Sequence, residues 1–199
     1  MKTAFVAIAL GSSLLAGCQR NSPSTENSPT DAQKSGPSIA EHMSPTEAEK
    51  AELLAAKELL FQKLSGRLMD AMSTTGPAGA IQVCQLEAKA IATEVGKEAN
   101  VNIGRTGVRL RNASNTAPEW AQQLVADKTD TPVFVKLSNN HAAALLPIKL
   151  QVQCLMCHGP KEQIAPDVQE KLTELYPDDH ATGFSEGELR GWFWVETLD

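Results

Sequence analysis

The pattern of hydrophobic and polar positions divides the chain into three parts. An apolar run from Ala4 to Leu15, interrupted by Gly11-Ser12-Ser13, follows a single charged residue, Lys2. Large apolar residues are then almost absent from Cys18 to Ser44, where Ser, Pro, Thr, Asn and Gln dominate, a composition typical of disorder. Beyond Ser44 apolar residues recur with regular spacing, so we expect a folded domain at 45–199.

Helical spacing predicts two helices at the start of this domain. Ser44-Pro45-Thr46-Glu47 has the form of a capping box with proline at the first helical position, and apolar residues follow at helical spacing up to Met72. Gly76-Pro77 interrupts the pattern, and we expect Pro77 to begin a second helix. The apolar face of that second helix consists of Ala80, Ile81, Cys84, Ala88, Ile91, Ala92 and Val95.

Short alternating or β-rich segments follow beyond Asn100. They predict strands at Arg105–Arg111, Pro132–Leu137, Ala144–Gln153 and Arg190–Leu198. Short helices are expected at Pro118–Ala126 and Ala165–Leu175. Two helices followed by strands with inserted helices indicate an α+β fold.

The first part of the chain predicts export. A basic start, a short apolar run and small residues are typical of a secretory signal and too short for a membrane span. Leu15-Ala16-Gly17-Cys18 resembles a bacterial lipobox, in which the Cys is diacylated; the alternative is a plain signal peptide with an incidental Cys. We therefore predict a signal peptide at 1–17 and a disordered tether at 18–44. Gln19, rather than Asp, after Cys18 favours an outer-membrane lipoprotein that faces the periplasm.

Composition excludes several classes of function. The chain has 18 Lys+Arg against 24 Asp+Glu and a net charge of −6, which argues against binding to nucleic acid. No Gly-rich phosphate loop and no HExxH motif occurs, so nucleotide chemistry and zinc proteolysis are not expected.

Cys154-Leu155-Met156-Cys157-His158 has the C-x-x-C-H form of a c-type haem attachment site. Two thiols about one helical turn apart can add to the two vinyl groups of a porphyrin, and the next residue presents an imidazole to the iron. A redox disulfide and a structural zinc site are the alternatives. Gly159-Pro160 disfavours the continuous helix of the first, and no second CxxC provides the ligands of the other. One motif predicts one covalent haem.

Cys84 is the cysteine that neither the lipid nor the haem uses, and an unpaired cysteine in an exported protein needs an explanation. It is either a small buried hydrophobe or an axial thiolate on the face of the iron opposite His158. His141 and His180 are rival axial ligands, although their turn and loop positions are typical of solvent-facing histidines.

Arg105, Arg109 and Arg111 occupy alternate positions of a predicted strand and share one face of it. Such a row is either a solvated surface or a set of partners for haem propionates, which suit the forked guanidinium group. We expect Arg109 and Arg111 to bind the cofactor, and Arg190 has a weaker claim of the same kind.

The chain resembles the PAS-like haem-c domain family, whose domain occurs alone and as the extracytoplasmic sensing part of bacterial signalling proteins. The matching stretches are Cys84-Gln85; Arg105-Thr106 with Arg109-Leu110-Arg111-Asn112; Asn115, Pro118 and Trp120; Leu146-Pro147-Ile148; the C-x-x-C-H motif with Gly159; Tyr176-Pro177-Asp178-Asp179 with Ala181-Thr182-Gly183; and Gly187 with Leu189-Arg190-Gly191. The resemblance implies a PAS-like antiparallel sheet flanked by helices, with the iron ligated by His158 and by a helical Cys that corresponds to Cys84.

The predicted haem and its two iron ligands indicate a function. An iron with two axial ligands leaves no site for a substrate, so we expect a monohaem protein of electron transfer or redox sensing and not an enzyme. The alternative is a sensor in which NO or CO displaces an axial ligand. The expected partners are a redox protein or a separate signalling protein, and the membrane through the lipid anchor.

Overall fold

The computed structural model describes residues 36–198. The signal peptide predicted at 1–17, with Cys18, and residues 18–35 of the predicted tether lie outside the described residues. Within 36–198, no helix is both long enough and apolar enough to cross a membrane.

The described residues form an α+β fold, as predicted, with five α-helices and four strands. The helices are α1 (Glu47–Gln82), α2 (Ala88–Ala99), α3 (Gln122–Ala126), α4 (Leu155–His158) and α5 (Pro166–Leu175). The strands are β1 (Val101–Gly107), β2 (Val133–Lys136), β3 (Ala142–Lys149) and β4 (Leu189–Thr197). A π-helical turn, Val83–Glu87, joins α1 to α2, and 3-10 turns precede α3, α4 and α5.

The four strands form one antiparallel sheet in the order β1-β4-β3-β2, in agreement with the expected PAS-like sheet. Both faces of the sheet are covered, which is why Ala142–Leu146 of β3 is buried at every position. Ala144 and Leu146 face the helices, where they pack with Leu53, Leu60, Val95 and Val195. Ala143 and Leu145 face the other side, in a cluster with Trp120 and Trp192.

The start of α1 differs from the prediction by two residues. Thr46, not Ser44, is the N-cap: its hydroxyl accepts from the amide of Glu49 at 3.2 Å, and the Glu49 carboxylate accepts from the amide of Thr46 at 2.7 Å. This exchange forms a complete capping box, because Glu49 stands three residues after Thr46. The Glu49 carboxylate also pairs with Lys136 of β2, which fixes the box to the sheet.

The predicted break at Gly76-Pro77 is present: Gly76 is non-helical, and two helical segments of α1 meet there in a kink, with the second beginning at Pro77. Gly76 has φ 73° and ψ 177°, a conformation open mainly to glycine, and Pro77 continues the helix beyond it. A bidentate ion pair between Arg67 and Glu87 spans the kink, with N···O distances of 2.7 and 2.8 Å. The π-helical turn then interrupts the predicted apolar face, so that Val83 is buried although it lay outside that face.

A short part of the predicted tether bonds to the sheet. Ile39 forms an antiparallel bridge with Leu137, just beyond the end of β2. The amide of Ala40 donates to the carbonyl of Lys136 at 2.8 Å. These bonds satisfy backbone groups that an edge strand would otherwise leave open.

Two predicted strands end earlier than their patterns indicated. β1 covers Val101–Gly107, so Arg109 and Arg111 lie in the following loop and do not share a strand face with Arg105, which corrects that prediction. The loop leaves the sheet because side chains of this segment bond elsewhere, Arg111 with Asp179 and the Cys157 carbonyl. β3 ends at Lys149, and Val152–Cys154 form a 3-10 turn instead of strand.

Candidate cofactor site

The C-x-x-C-H motif occupies one short helical turn at the end of the sheet. A 3-10 turn ends at Cys154, α4 covers Leu155–His158, and Gly159 leaves the helix in an extended conformation. A residue with a side chain would not fit at position 159 without a shift of the backbone, because its Cβ atom would lie 2.7 Å from the Leu155 carbonyl oxygen. The two motif thiols therefore lie about one turn apart, as haem attachment requires.

The thiols of the described cysteines are not joined by disulfide bonds, and Cys84, Cys154 and Cys157 are each half-buried. Cys154 lies against a small apolar cluster of Leu150, Ala181 and Phe184. Cys157 packs against a second cluster, formed by Ile81 of α1 and side chains of α5. Burial raises the pKa of the Cys157 thiol, an effect that Arg111 opposes.

His158 is held by a hydrogen bond of 2.7 Å between its Nδ1 and the carbonyl oxygen of Ala181. A carbonyl can only accept, so Nδ1 carries the proton and Nε2 presents a lone pair. Burial, together with the charges of Arg111 and Arg190, lowers the pKa of His158 to about 3, and the imidazole is neutral at physiological pH. A neutral imidazole whose other nitrogen is already bonded is the form in which histidine ligates a metal.

Cys84 lies on the π-helical turn, a rare element that is frequent at functional sites. The side-chain amide of Gln85 donates to the carbonyl of Leu175 at 2.9 Å and fastens this turn to the end of α5. The Cys84 thiol is close enough to Arg105, Cys157 and Tyr176 to affect the pKa of each. The structure therefore brings Cys84 within electrostatic range of Cys157 in the motif, and the ligand role predicted for Cys84 stays a prediction.

Four arginines surround this site, and their contacts differ. Arg111 bonds within the protein: Nε to Asp179 Oδ2 at 2.9 Å and Nη2 to the Cys157 carbonyl at 2.6 Å. The Arg109 guanidinium stacks over the ring of Phe184 at 3.9 Å from the centroid. Arg109 and Arg111 thus lie at the site, but the propionate role predicted for them stays a prediction.

Arg105 and Arg190 have guanidinium N–H groups that are available to donate hydrogen bonds to a ligand. Burial lowers the pKa of Arg105, and it lowers the pKa of Arg190 to about 10 with help from Arg111. Arg190 donates through Nη1 to the Arg109 carbonyl at 2.9 Å, whereas its buried Nε has no hydrogen-bond partner. A buried guanidinium nitrogen without an acceptor is costly, and an anionic group at this position would satisfy it.

The rival histidines are not part of this arrangement. His141 lies at the start of β3, where Nδ1 is 3.2 Å from Glu196 Oε1, while the motif follows the far end of that strand. At about 3.3 Å per residue, the eight residues of β3 separate them by roughly 25 Å. His180 is adjacent to Ala181, but its side chain is exposed.

Sequence reasoning missed the contacts around His158, which are made by the Ala181 peptide and Phe184, and the bond of Asp179 to the amide of Ala181. The Phe184 ring meets the His158 imidazole edge to face, with centroids 6.4 Å apart. Asp179 belonged to a stretch that resembles the family, but a polar loop pair such as Asp178-Asp179 has no periodicity from which a contact could be predicted.

The described residues fit the covalent haem that the sequence predicts. Cys154 and Cys157 offer unpaired thiols one turn apart, and Nε2 of His158 is free to ligate. Arg190 Nε is a buried donor that lacks an acceptor. A set of positive side chains with few acids suits a group that carries two carboxylates.

Known proteins resemble the chain in family and in fold. The family model described as Tll0287-like matches residues 26–197, and it confirms the family resemblance inferred from the sequence. The chain is also similar to the crystal structure of the cyanobacterial haem protein Tll0287, at 22% identity and a TM-score of 0.56, over 77% of this chain and 96% of that one. At this identity the likeness confirms the fold. No curated protein matches the chain.

Proposed function

The chain belongs to the Tll0287-like family, and from this premise we propose that it is an exported monohaem c-type protein of electron transfer or redox sensing. The observation that carries the proposal is the hydrogen bond of His158 Nδ1 to the Ala181 carbonyl beside two unpaired thiols. The similar solved structure is that of a haem protein, which supports the same assignment. When bound, haem would supply an iron that changes its charge by one electron.

Each part of the site has a role in this proposal. Cys154 and Cys157 would hold the porphyrin covalently, and His158 would ligate the iron through Nε2. Arg190, with its unpartnered Nε, and the half-buried Arg105 would bind the propionates.

Cys84 is proposed as the second axial ligand. The thiol lies on the π-helical turn, within electrostatic range of Cys157 and Arg105. Cysteine ligates a metal as the thiolate. A thiolate stabilises ferric over ferrous iron, so this ligand would give the protein a low reduction potential. If His158 and Cys84 both ligate the iron, no position would remain for a substrate, and we propose no enzymatic activity.

Covalent attachment is tested by extracting the denatured protein with acid and organic solvent after expression with a c-type maturation system. Haem should remain with the wild-type chain and with the control variant Met156→Ala, which changes an exposed residue of the motif that donates no thiol. The double variant Cys154→Ala, Cys157→Ala should retain no haem. Extraction of haem from the wild-type chain would refute the proposal.

The role of Cys84 is tested by Cys84→Ser. Covalent haem should persist, while thiolate-to-iron spectral features disappear and the reduction potential rises. An unchanged ferric spectrum would show that another group is the ligand. Addition of CO to the reduced wild-type protein distinguishes the two functions: no binding supports electron transfer, and rapid displacement of an axial ligand supports gas sensing instead.

The proposed location rests on the sequence of the first residues. We propose that Cys18 is lipidated and that the protein faces the periplasm from the outer membrane, since two or more acyl chains make a stable anchor. Cys18→Ser should move the protein out of the membrane fraction. Equal retention of the wild type and the variant in that fraction would contradict lipid anchoring.

A further inference from the structure

The loop that follows α5 contains a carboxylate, that of Asp179, which accepts two hydrogen bonds. Asp179 Oδ1 accepts from the amide of Ala181 at 2.7 Å, and Asp179 Oδ2 accepts from Nε of Arg111 at 2.9 Å. The first bond closes a tight turn within the loop, and the second ties that turn to the segment after β1. One side chain therefore connects the loop to a different part of the fold.

Arg111 extends the connection to the motif itself. Its Nη2 donates to the carbonyl of Cys157 at 2.6 Å and lies 3.4 Å from the carbonyl of Ala181. The side chains of Arg111 and Asp179 are each only 10% exposed, so water does not compete strongly for these bonds. Charge-assisted bonds in such a place are stronger than those between neutral groups.

These bonds fix the peptide that holds His158. The amide of Ala181 is bound by Asp179, and its carbonyl accepts from His158 Nδ1 at 2.7 Å. Backbone bonds add to this: Gly183 N donates to the Gly159 carbonyl at 2.7 Å, and Phe184 N donates to the His158 carbonyl at 3.0 Å. The Ala181 carbonyl thus has little freedom to move away from the imidazole.

We propose that Asp179 and Arg111 are positioning residues that keep the Ala181 carbonyl against Nδ1 of His158, and that they thereby set the reduction potential of the site. A strong bond at Nδ1 raises the basicity of the imidazole, so Nε2 donates more electron density to a metal and favours the ferric state. The inference rests on the proposed function, because it concerns the ligand strength of His158. It gives Arg111 a role within the protein in place of the predicted contact with a propionate.

If Asp179 and Arg111 act by positioning, substitution of either residue should change the reduction potential even where the net charge is unchanged. Asp179→Asn weakens the bond to Arg111, frees the loop and should raise the reduction potential. Arg111→Lys keeps the positive charge but cannot bond to Asp179 and to the Cys157 carbonyl in the same forked geometry. If positioning matters, Arg111→Lys should raise the potential as well, whereas an account based on charge predicts no shift.

Asp178→Asn is the matched control. Asp178 precedes Asp179, is exposed and makes none of these bonds, so its substitution removes the same charge without loosening the Ala181 peptide. Substitution of groups that orient a metal ligand typically changes metal-site properties by tenfold or more. For Asp179→Asn and Arg111→Lys we therefore expect a rise of about 59 mV, which is a tenfold change in a one-electron equilibrium constant.

The experiment measures the potential and covalent haem content of the holoprotein for the wild type and the three variants, and the exchange rate of the Nδ1 proton by NMR. Support requires higher potentials and faster proton exchange in Asp179→Asn and Arg111→Lys than in Asp178→Asn. Shifts no larger than that of Asp178→Asn would overturn the inference. Loss of haem in both test variants while the control is loaded would also overturn it, because the pair would then serve attachment. Absence of covalent haem from the wild type would instead refute the proposed function.

Discussion

The helix–sheet core and the cofactor site differ in the burial of their side chains and in the elements that supply them. Between α1, α2 and the sheet, Leu53, Leu60, Val95 and Val195 have no exposed surface, and their contacts come from long, regular elements. The cofactor site consists of a π-helical turn, short helical turns and loops, with half-buried thiols and a buried donor on Arg190 that lacks a partner. The core is completed by the protein's own atoms, whereas the site contains unpaired thiols and a buried donor without an acceptor among the described residues.

The difference shows that regular spacing of apolar residues determines the packing of the core, whereas hydrogen bonds between loops determine the geometry of the site. An apolar side chain in the core needs only a neighbour of suitable size, which regular spacing provides. The groups at the site need particular directions, and backbone hydrogen bonds between loops supply them, such as the one between Gly183 N and the Gly159 carbonyl. Damage to the core should therefore reduce stability in all forms of the protein, and damage to the site should depend on whether haem is present.

The largest expected effect is in the core, for Leu53→Ala. Leu53 is fully buried between α1 and the sheet, so the variant should lose about 3 kcal/mol of unfolding free energy through lost burial and an unfilled cavity. Denaturant unfolding measures this loss in the haem-free and haem-loaded proteins, and we expect it to be equal in both. Leu54→Ala is the control, because Leu54 is the next residue and is 45% exposed. Similar losses in the two variants would contradict this description of the core.

Gly191→Ala tests the junction between the two regions. A Cβ atom at Gly191 would lie 2.1 Å from the carbonyl oxygen of Thr106 and 2.7 Å from Cα of Gly107, so β1 and β4 would have to separate. Crowding of this kind typically costs about 1–3 kcal/mol. In thermal unfolding, Gly66→Ala should instead be neutral or stabilising by up to about 1 kcal/mol, because it lies in α1 with no atom near its added methyl group. A neutral Gly191→Ala would show that the strands can move apart at no cost.

Haem loading should protect the site and leave the core unchanged. Amide hydrogen exchange compares the loaded wild type with the Cys154→Ala, Cys157→Ala variant. One charge-assisted hydrogen bond to a propionate contributes about 1.5–3 kcal/mol, which slows exchange by roughly tenfold or more where local opening is limiting. We expect this protection in Val152–His158 and near Arg190, and little change in α1 near Leu53. Equal protection across the whole domain would remove the distinction between the two regions.

The same two regions differ in how much of their structure could be predicted from the sequence. The buried face of α1, the α+β class and the positions of β2 and β4 were predicted because they rest on periodicity. The C-x-x-C-H motif was predicted because its spacing is local. The bonds of Asp179 and the division of roles among the arginines were not predictable. They depend on loops distant in sequence that meet only after folding, as when Arg111 reaches Asp179.

The smallest expected effect concerns an ion pair at the edge of the core. Glu49 Oε1 lies 2.7 Å from Lys136 Nζ, and Glu49 Oε2 accepts from the amide of Thr46 at 2.7 Å. The bond to Lys136, followed by those to Thr46, lowers the pKa of Glu49 to about 2 from its usual 4.5. Lys136 also donates to a backbone acceptor, the Asn140 carbonyl at 2.6 Å, and its nitrogen does not lack a partner as the buried Nε of Arg190 does. The charges here are paired within the protein.

The sign of the pH dependence follows from these two pKa values. Between pH 2 and 4.5 the unfolded Glu49 binds a proton that the folded one does not, so stability from this group is present above pH 4.5 and is lost as the pH falls towards 2. Because the Glu49 side chain is about a quarter exposed, solvent screening limits the effect to about 1 kcal/mol. Glu49→Gln should therefore be less stable than the wild type at pH 6 and approach it at pH 2.5, as measured by urea unfolding. Glu47→Gln removes the same charge from a side chain that pairs with Lys50 and not with Lys136. A stability difference between wild type and Glu49→Gln that is constant with pH would show that the bonds to Lys136 and Thr46 do not hold the carboxylate in its charged form.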